Sequence, residues 1–173
     1  MGISKGVLPV ALGSLVGLAG SAGAREPLVA GNMAPDFSAP ASDGTTFRLS
    51  EHLGKGPIVL YFYPKDDTPG CTKEACSLRD SFTAFRNVKA EIFGVSYDSV
   101  ESHRRFIAKH RLPFVLLSDQ DRAVARAYGA EGLFVAKRMS YVIGANGRIL
   151  YVNPAVDPSK HDQELLKVLG AGK

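Results

Sequence analysis

Cysteine is scarce in this chain: of 173 residues only Cys71 and Cys76 carry a thiol. That excludes a disulfide-dense scaffold, and with 45% hydrophobic and 22% charged residues the composition is that of an ordinary globular protein. After Ala24 no apolar run approaches the roughly 20 residues that a membrane span needs. Repeats of roughly 20–50 residues are missing too, which removes solenoids and propellers. No charge of one sign dominates, since 21 basic residues face 17 acidic ones for a net charge of +4. The densest basic cluster runs from Ser102 to Arg111. It reads as a helix with a solvated basic face rather than a nucleic-acid patch, because Phe106 and Ile107 fall at core spacing. No nucleic-acid partner is expected.

What is present begins with a distinctive start. Residues 1–24 carry Lys5 as their single charge, an apolar run from Val7 to Ala19, and the small residues Ala22-Gly23-Ala24 before Arg25. That order predicts an export signal cut after Ala24, leaving a periplasmic or secreted protein. The alternative is an uncleaved membrane anchor, against which Pro9 and five glycines shorten the apolar part. The remainder, 25–173, is long enough for one hydrophobic core and is expected to form one domain without stable membrane association.

Along that domain, Thr45 to Leu53 pairs a short strand with a helical turn that Ser50 is expected to cap. Ile58 to Tyr63 is a continuous apolar run between Gly56-Pro57 and Pro64, the pattern of a strand buried on both faces. Ala75, Leu78, Phe82 and Phe85 then recur at helical spacing, predicting one helix from Cys71 to about Asn87 that starts near Pro69-Gly70. A strand at "EIFGVSYD", a helix from Ser99 to His110 capped by Ser99, a strand at "FVLLSD" and a short helix ending at Gly129 follow. "RMSYVIGANGRILYV" predicts a hairpin turning at Asn146-Gly147, and Ser159 to Leu169 a helix burying Leu165, Leu166, Val168 and Leu169. The alternation predicts an α/β fold: a central mixed sheet with helices on both faces. Sites in such folds gather at the carboxyl ends of strands, where the turn Pro64 to Gly70 delivers Cys71.

Two thiolates would leave a tetrahedral metal site half filled, and His52, His103, His110 and His161 are scattered in separate elements, where each reads as a surface residue. No metal or other cofactor is expected. A permanent disulfide is also poorly served. A loop of about six residues stabilises a fold by only about 2 kcal/mol. In an α-helix, residues five apart lie roughly 8.7 Å apart at Cα, beyond the ~7 Å that a disulfide tolerates. Either the helix is absent or the bond forms only when its first turns unwind. A sulfur in the first helical turn meanwhile faces unpaired N–H groups and the positive end of the dipole, which favour its ionised, nucleophilic form. An accessible thiolate beside a second cysteine suits oxidation to sulfenic acid and rescue as a disulfide.

The stretch "YFYPKDDTPGCTKEAC" resembles the active-site signature of the peroxiredoxins, and specifically of their bacterioferritin-comigratory, or Q-type, subgroup. The family frame of Pro, three residues, Thr, two residues and Cys is met by Pro64, Thr68 and Cys71, and the subgroup's second cysteine by Cys76. Similarity continues through "GVSYDSVESHRRF", "LPFVLLSD" and "RMSYVIGANGRI", covering roughly Asn32 to Val152; "YVIG" replaces the more common "FLID". The resemblance implies a thioredoxin-like fold and thiol peroxidase activity on hydrogen peroxide and organic hydroperoxides. Cys71 would be the peroxidatic nucleophile. Cys76 would resolve its sulfenic acid as an intramolecular disulfide, which thioredoxin or another dithiol reductant reopens.

In the same frame Arg138 matches the family's active-site arginine. With the Thr68 hydroxyl and first-turn N–H groups it would donate to the departing peroxide oxygen, while Pro64 shapes the pocket. Glu74 reads equally well as a first-turn helix charge and is not assigned. A resolving cysteine within the chain removes the chemical need for a partner subunit, so a monomer is expected. Two other readings stay open beside the peroxidase: a thioredoxin-like disulfide oxidoreductase acting on protein thiols, which normally uses Cys-x-x-Cys, and a redox-inert binding domain.

Overall fold

A computed structural model describes residues 1–2 and 27–171. The predicted leader and its cleavage point lie outside the described residues. A small antiparallel pair, β1 (Ser38–Pro40) and β2 (Thr46–Arg48), precedes a one-turn helix, α1 (Leu49–His52). Ser50 lies inside that turn rather than capping it; its N–H and hydroxyl both donate to the Asp36 carboxylate, at 2.9 and 3.0 Å. An acceptor 14 residues upstream thus takes the place of the expected local cap.

The main sheet follows. β3 (Ile58–Phe62), β4 (Glu91–Ser96) and β5 (Val115–Ser118) are parallel, β6 (Met139–Ile143) runs antiparallel to β3, and β7 (Ile149–Asn153) antiparallel to β6, in the order β5-β4-β3-β6-β7. β3 is central and buried on both faces, as its unbroken apolar run requires. Ile58, Leu60 and Phe62 point to one core with Phe47, Leu49, Val124 and Tyr128. Val59, Tyr61 and Tyr63 point to the other, with Leu78, Phe85, Phe106 and Leu165. Helices therefore cover both faces, as expected. Gly94, opposite Tyr61 in the β3–β4 register, is required by packing: a Cβ there would meet the Tyr61 ring and Leu116 at 2.7 Å.

The single helix expected over 71–87 is two: α2 (Pro69–Asp80) and α3 (Phe82–Asn87), parted at Ser81. The Ser81 hydroxyl donates to Asp162 at 2.6 Å, a partner from the far end of the chain that no local periodicity reports. α4 (Val100–His110) is capped as predicted, Ser99 Oγ accepting from Ser102 N. α5 (Ala123–Ala127) is followed by Gly129 at φ +71°. In the β6–β7 hairpin Gly147 alone has positive φ, and Gly144 N donates to Arg148 O at 2.8 Å. The turn is a three-residue loop with glycine at the left-handed position, not the two-residue form expected. α6 (His161–Val168) buries Leu165, but Val168 is 38% exposed; its face points away from the sheet. Among the described residues no helix is long and apolar enough to cross a membrane.

Asp119 supplies a pH-sensitive contact to this fold. Its carboxylate accepts from Val124 N and Ala125 N at 3.0 and 2.7 Å, yet burial pushes its pKa up to about 6 from 3.8. Because the folded value exceeds the unfolded one, the contribution is fully present below about pH 4 and is lost as pH rises through about 6, by about 2–3 kcal/mol. Urea unfolding measured across that window is expected to show the decline, and Asp119→Asn to flatten it.

Candidate active site

Pro69 occupies the first helical position of α2, where its missing N–H costs nothing and its fixed φ suits the turn. Thr68 precedes it with extended backbone. Cys71 thus lies in the first turn, where the amides of Gly70 and Cys71 have no intrahelical acceptor, just beyond the carboxyl end of β3. Phe62 pairs with Met139 across the β3–β6 register, so Arg138, one residue before β6, emerges at that same end of the sheet. Its Nη2 donates to Cys71 Sγ at 3.1 Å. A Cβ at Gly70 would stand 3.3 Å from that nitrogen, so the glycine keeps the approach open.

Cys71 is buried, 2% exposed among Tyr61, Tyr63, Ala75 and Leu78, whereas an accessible sulfur was expected. Burial arises because the helix start is pressed onto the sheet face, leaving Arg138 as the polar cover. Thr68 also differs from expectation. Its hydroxyl donates to Lys65 O at 3.0 Å, so its single proton is committed and its oxygen is left as an acceptor. Pro64 is half-buried at the start of the loop. Cys76 is half-buried further along α2, and both cysteines are free thiols on the intact helix.

Residues that the sequence reading set aside complete the centre. Glu74 is fully buried, with Oε2 accepting from Arg138 Nη1, and burial of the guanidinium, which opposes its charge, is outweighed by Glu74 and Cys71, so its pKa is raised. On the other side of Glu74, His161 Nδ1 faces Oε1 at 2.9 Å without the alignment of a hydrogen bond. His161 Nε2 lies 3.0 Å from the Ser140 hydroxyl. His161 and His103 are both fully buried, against the expectation of surface histidines. Each lies on an otherwise polar-looking helix, and only the docking of that helix against the sheet encloses it.

The loop that carries Pro64 and Thr68 is held by a second buried cluster. Asp66 accepts from Tyr63 OH and Ser102 Oγ, each at 2.7 Å, and lies 3.0 Å from His103 Nδ1. Its own N–H donates to Asp98 at 3.0 Å. Burial would raise the Asp66 pKa, but these bonds, led by His103, hold it below the usual carboxylate value. The signal for Asp66, Glu74 and His161 was weak in sequence, since charged residues at helix starts and in turns are ordinarily solvated.

Residues 30–152 match the model of the AhpC/TSA family. Peroxiredoxin Q, chloroplastic, from Triticum aestivum is 43% identical over 143 residues, covering 80% of this chain. The chain spans 65% of that relative's length. The chloroplastic peroxiredoxin Q of Sedum lineare is 44% identical, over 80% of this chain and 76% of its own length. Among solved structures, peroxidoxin BcpB from Mycobacterium tuberculosis superposes with TM-score 0.80 at 37% identity, over 84% of this chain and 99% of its own. Peroxiredoxin Q from Xanthomonas campestris gives 0.74 at 33%, over 79% and 90%.

The relatives also correct one expectation. The plant relatives are named as chloroplastic, which overturns the reading of the first residues as a secretion signal for a periplasmic or secreted protein. A start without acidic residues does not single out secretion, because transit peptides are acidic-poor as well, and residues 1–24 contain no Asp or Glu. A buried cysteine at a helix start, an arginine on its sulfur and similarity over most of the chain together place this protein in the AhpC/TSA family, among the Q-type peroxiredoxins.

Proposed function

We propose that this chain is a thiol-dependent peroxidase for hydrogen peroxide and organic hydroperoxides, formed by one domain over residues 25–173 acting as a monomer. The observation that carries the reading is the 3.1 Å contact from Arg138 Nη2 to Cys71 Sγ at the entrance of α2. The Cys71 thiolate attacks one peroxide oxygen, the O–O bond breaks, and the second oxygen takes a proton and leaves as water or alcohol. Sulfur is oxidised to sulfenic acid. Negative charge grows on the departing oxygen, so a guanidinium and helix-start amides already aimed there stabilise the transition state more than the ground state. Thr68, whose own proton is committed to Lys65 O, orients the peroxide by accepting its O–H. Pro64 shapes the mouth of the pocket.

Cys76 then attacks the Cys71 sulfur, closing a disulfide and releasing water, and a thioredoxin-type dithiol reopens it by exchange. Both cysteines lie within α2, so this bond requires the helix to unwind between them. The disulfide-oxidoreductase reading finds no support in a pair separated by four residues inside a regular helix.

Mixing reduced protein with one equivalent of hydrogen peroxide is expected to remove two thiols per chain. Cys71→Ser should be inert from the start, and Cys76→Ser should consume one peroxide and then stall or over-oxidise. Amide exchange over residues 71–80 should accelerate in the oxidised form. Full activity in Cys71→Ser would end the role assignments, and equal exchange in both redox states would end the unwinding step.

A further inference from the structure

Cys76 stands beside a pair of residues that the peroxide chemistry does not use. His110, the last residue of α4, places Nδ1 4.0 Å from Cys76 Sγ. Its Nε2 lies 3.1 Å from Asp67 Oδ1, and a carboxylate there can only accept, so Nε2 carries the ring proton and Nδ1 presents its lone pair to the sulfur. Asp67 holds this position with a left-handed backbone, φ +58°, uncommon for a non-glycine residue. Lys109 Nζ reaches the same oxygen at 2.9 Å, and its bond, with that of His110, keeps the Asp67 carboxyl below its ordinary range.

The ring is fixed from other sides as well. Phe106 meets it edge-on at 5.1 Å between centroids. Arg79 Nη1 donates to the His110 carbonyl at 2.7 Å, and the Arg79 guanidinium, paired with Asp80, also faces Cys76. The His110 side chain is 18% exposed. Thiol, imidazole and carboxylate therefore stand in the order nucleophile, base and orienting group. The 4.0 Å separation is long for proton transfer, as is common before a reacting partner is in place.

We infer that His110, oriented by Asp67, is the general base that ionises Cys76 for its attack on the Cys71 sulfenic acid. The inference rests on the resolving role proposed for Cys76. The Cys76 S–H proton passes to His110 Nδ1, and the thiolate attacks Cys71 Sγ as α2 unwinds. The S–S bond forms while the S–O bond breaks. The departing hydroxide takes up a proton to become water, and the imidazolium releases its own to solvent. Net products are one disulfide and one water, with no added oxidant. Asp67 also lies directly before Thr68, so the loop that shapes the peroxide pocket is the one that orients this base.

The test isolates Cys76 in a Cys71→Ser background and follows its alkylation by iodoacetamide between pH 5 and 9. Adding His110→Gln is expected to slow alkylation at neutral pH about tenfold, toward that of an ordinary thiol, and to shift the pH profile upward. Asp67→Asn, which keeps the imidazole, should move the profile less in the same direction. In the chain with both cysteines, His110→Gln should let the sulfenic acid accumulate, seen by trapping with dimedone, because disulfide closure slows while peroxide still reaches Cys71. Unchanged alkylation rate and pH profile in His110→Gln would overturn the inference. A His110-dependent Cys76 together with undiminished repeated turnover in Cys76→Ser would instead sink the resolving role, and with it this use of the base.

Discussion

Arg138→Met is expected to slow oxidation of Cys71 by hydrogen peroxide by about two to three orders of magnitude, the usual effect of removing one preorganised donor from a developing oxyanion. Methionine approximates the length of the arginine stem but offers no N–H, so it removes the contact to Cys71 Sγ at 3.1 Å while retaining apolar cover. Arg138→Lys should recover only part of the loss. A lysine keeps the charge, but its single nitrogen does not replace a planar fork whose Nη1 is held by Glu74 while Nη2 meets the sulfur. Competition for peroxide against a second peroxidase of known rate measures the constant directly. A rate within twofold of the parent in Arg138→Met would remove the arginine from the chemistry.

Glu74→Ala should cost about 3–5 kcal/mol of stability, because it leaves a half-buried guanidinium and a fully buried imidazole without the carboxylate between them. For a domain of this size that corresponds to a fall in Tm of roughly 10 °C. Glu74→Gln, which preserves the volume and can still accept from Arg138, should lose less. Location sets the magnitude, as the pair Arg105–Glu101 illustrates: its 2.7 Å contact is shorter than many, but the side chains are 65% and 81% exposed. Glu101→Ala is therefore expected to change stability by no more than about 0.5 kcal/mol. Urea unfolding of the three variants checks both statements. Equal effects at Glu74 and Glu101 would mean that the buried pair is not coupled to the fold.

These two residues also mark how far the sequence could be read. β3, the start of α2 at Pro69, the Ser99 cap and the positive φ at Gly147 were legible because each depends on residues within a few positions of one another. Pro64, Thr68, Cys71 and Cys76 were grouped by the resemblance to the family signature, and they fall on one loop and the helix it leads into. Glu74 was left unassigned because a glutamate at a helix start is ordinarily solvated, and nothing nearby says that α6 and the start of β6 close over it. The break at Ser81 has the same origin, its partner Asp162 lying 81 residues away.

The amino-acid order determined on its own the α/β alternation, the placing of Cys71 at a helix entrance, and the conflict between a regular helix and a Cys71–Cys76 bond, since helical rise and rotation are set by the backbone. Tertiary structure alone decided that Cys71 is buried, that the arginine expected from the family frame lies directly on its sulfur, and that Glu74, His161 and His103 lie in the interior. Burial and charge pairing depend on which surfaces meet when distant elements pack, and local periodicity carries no record of that meeting.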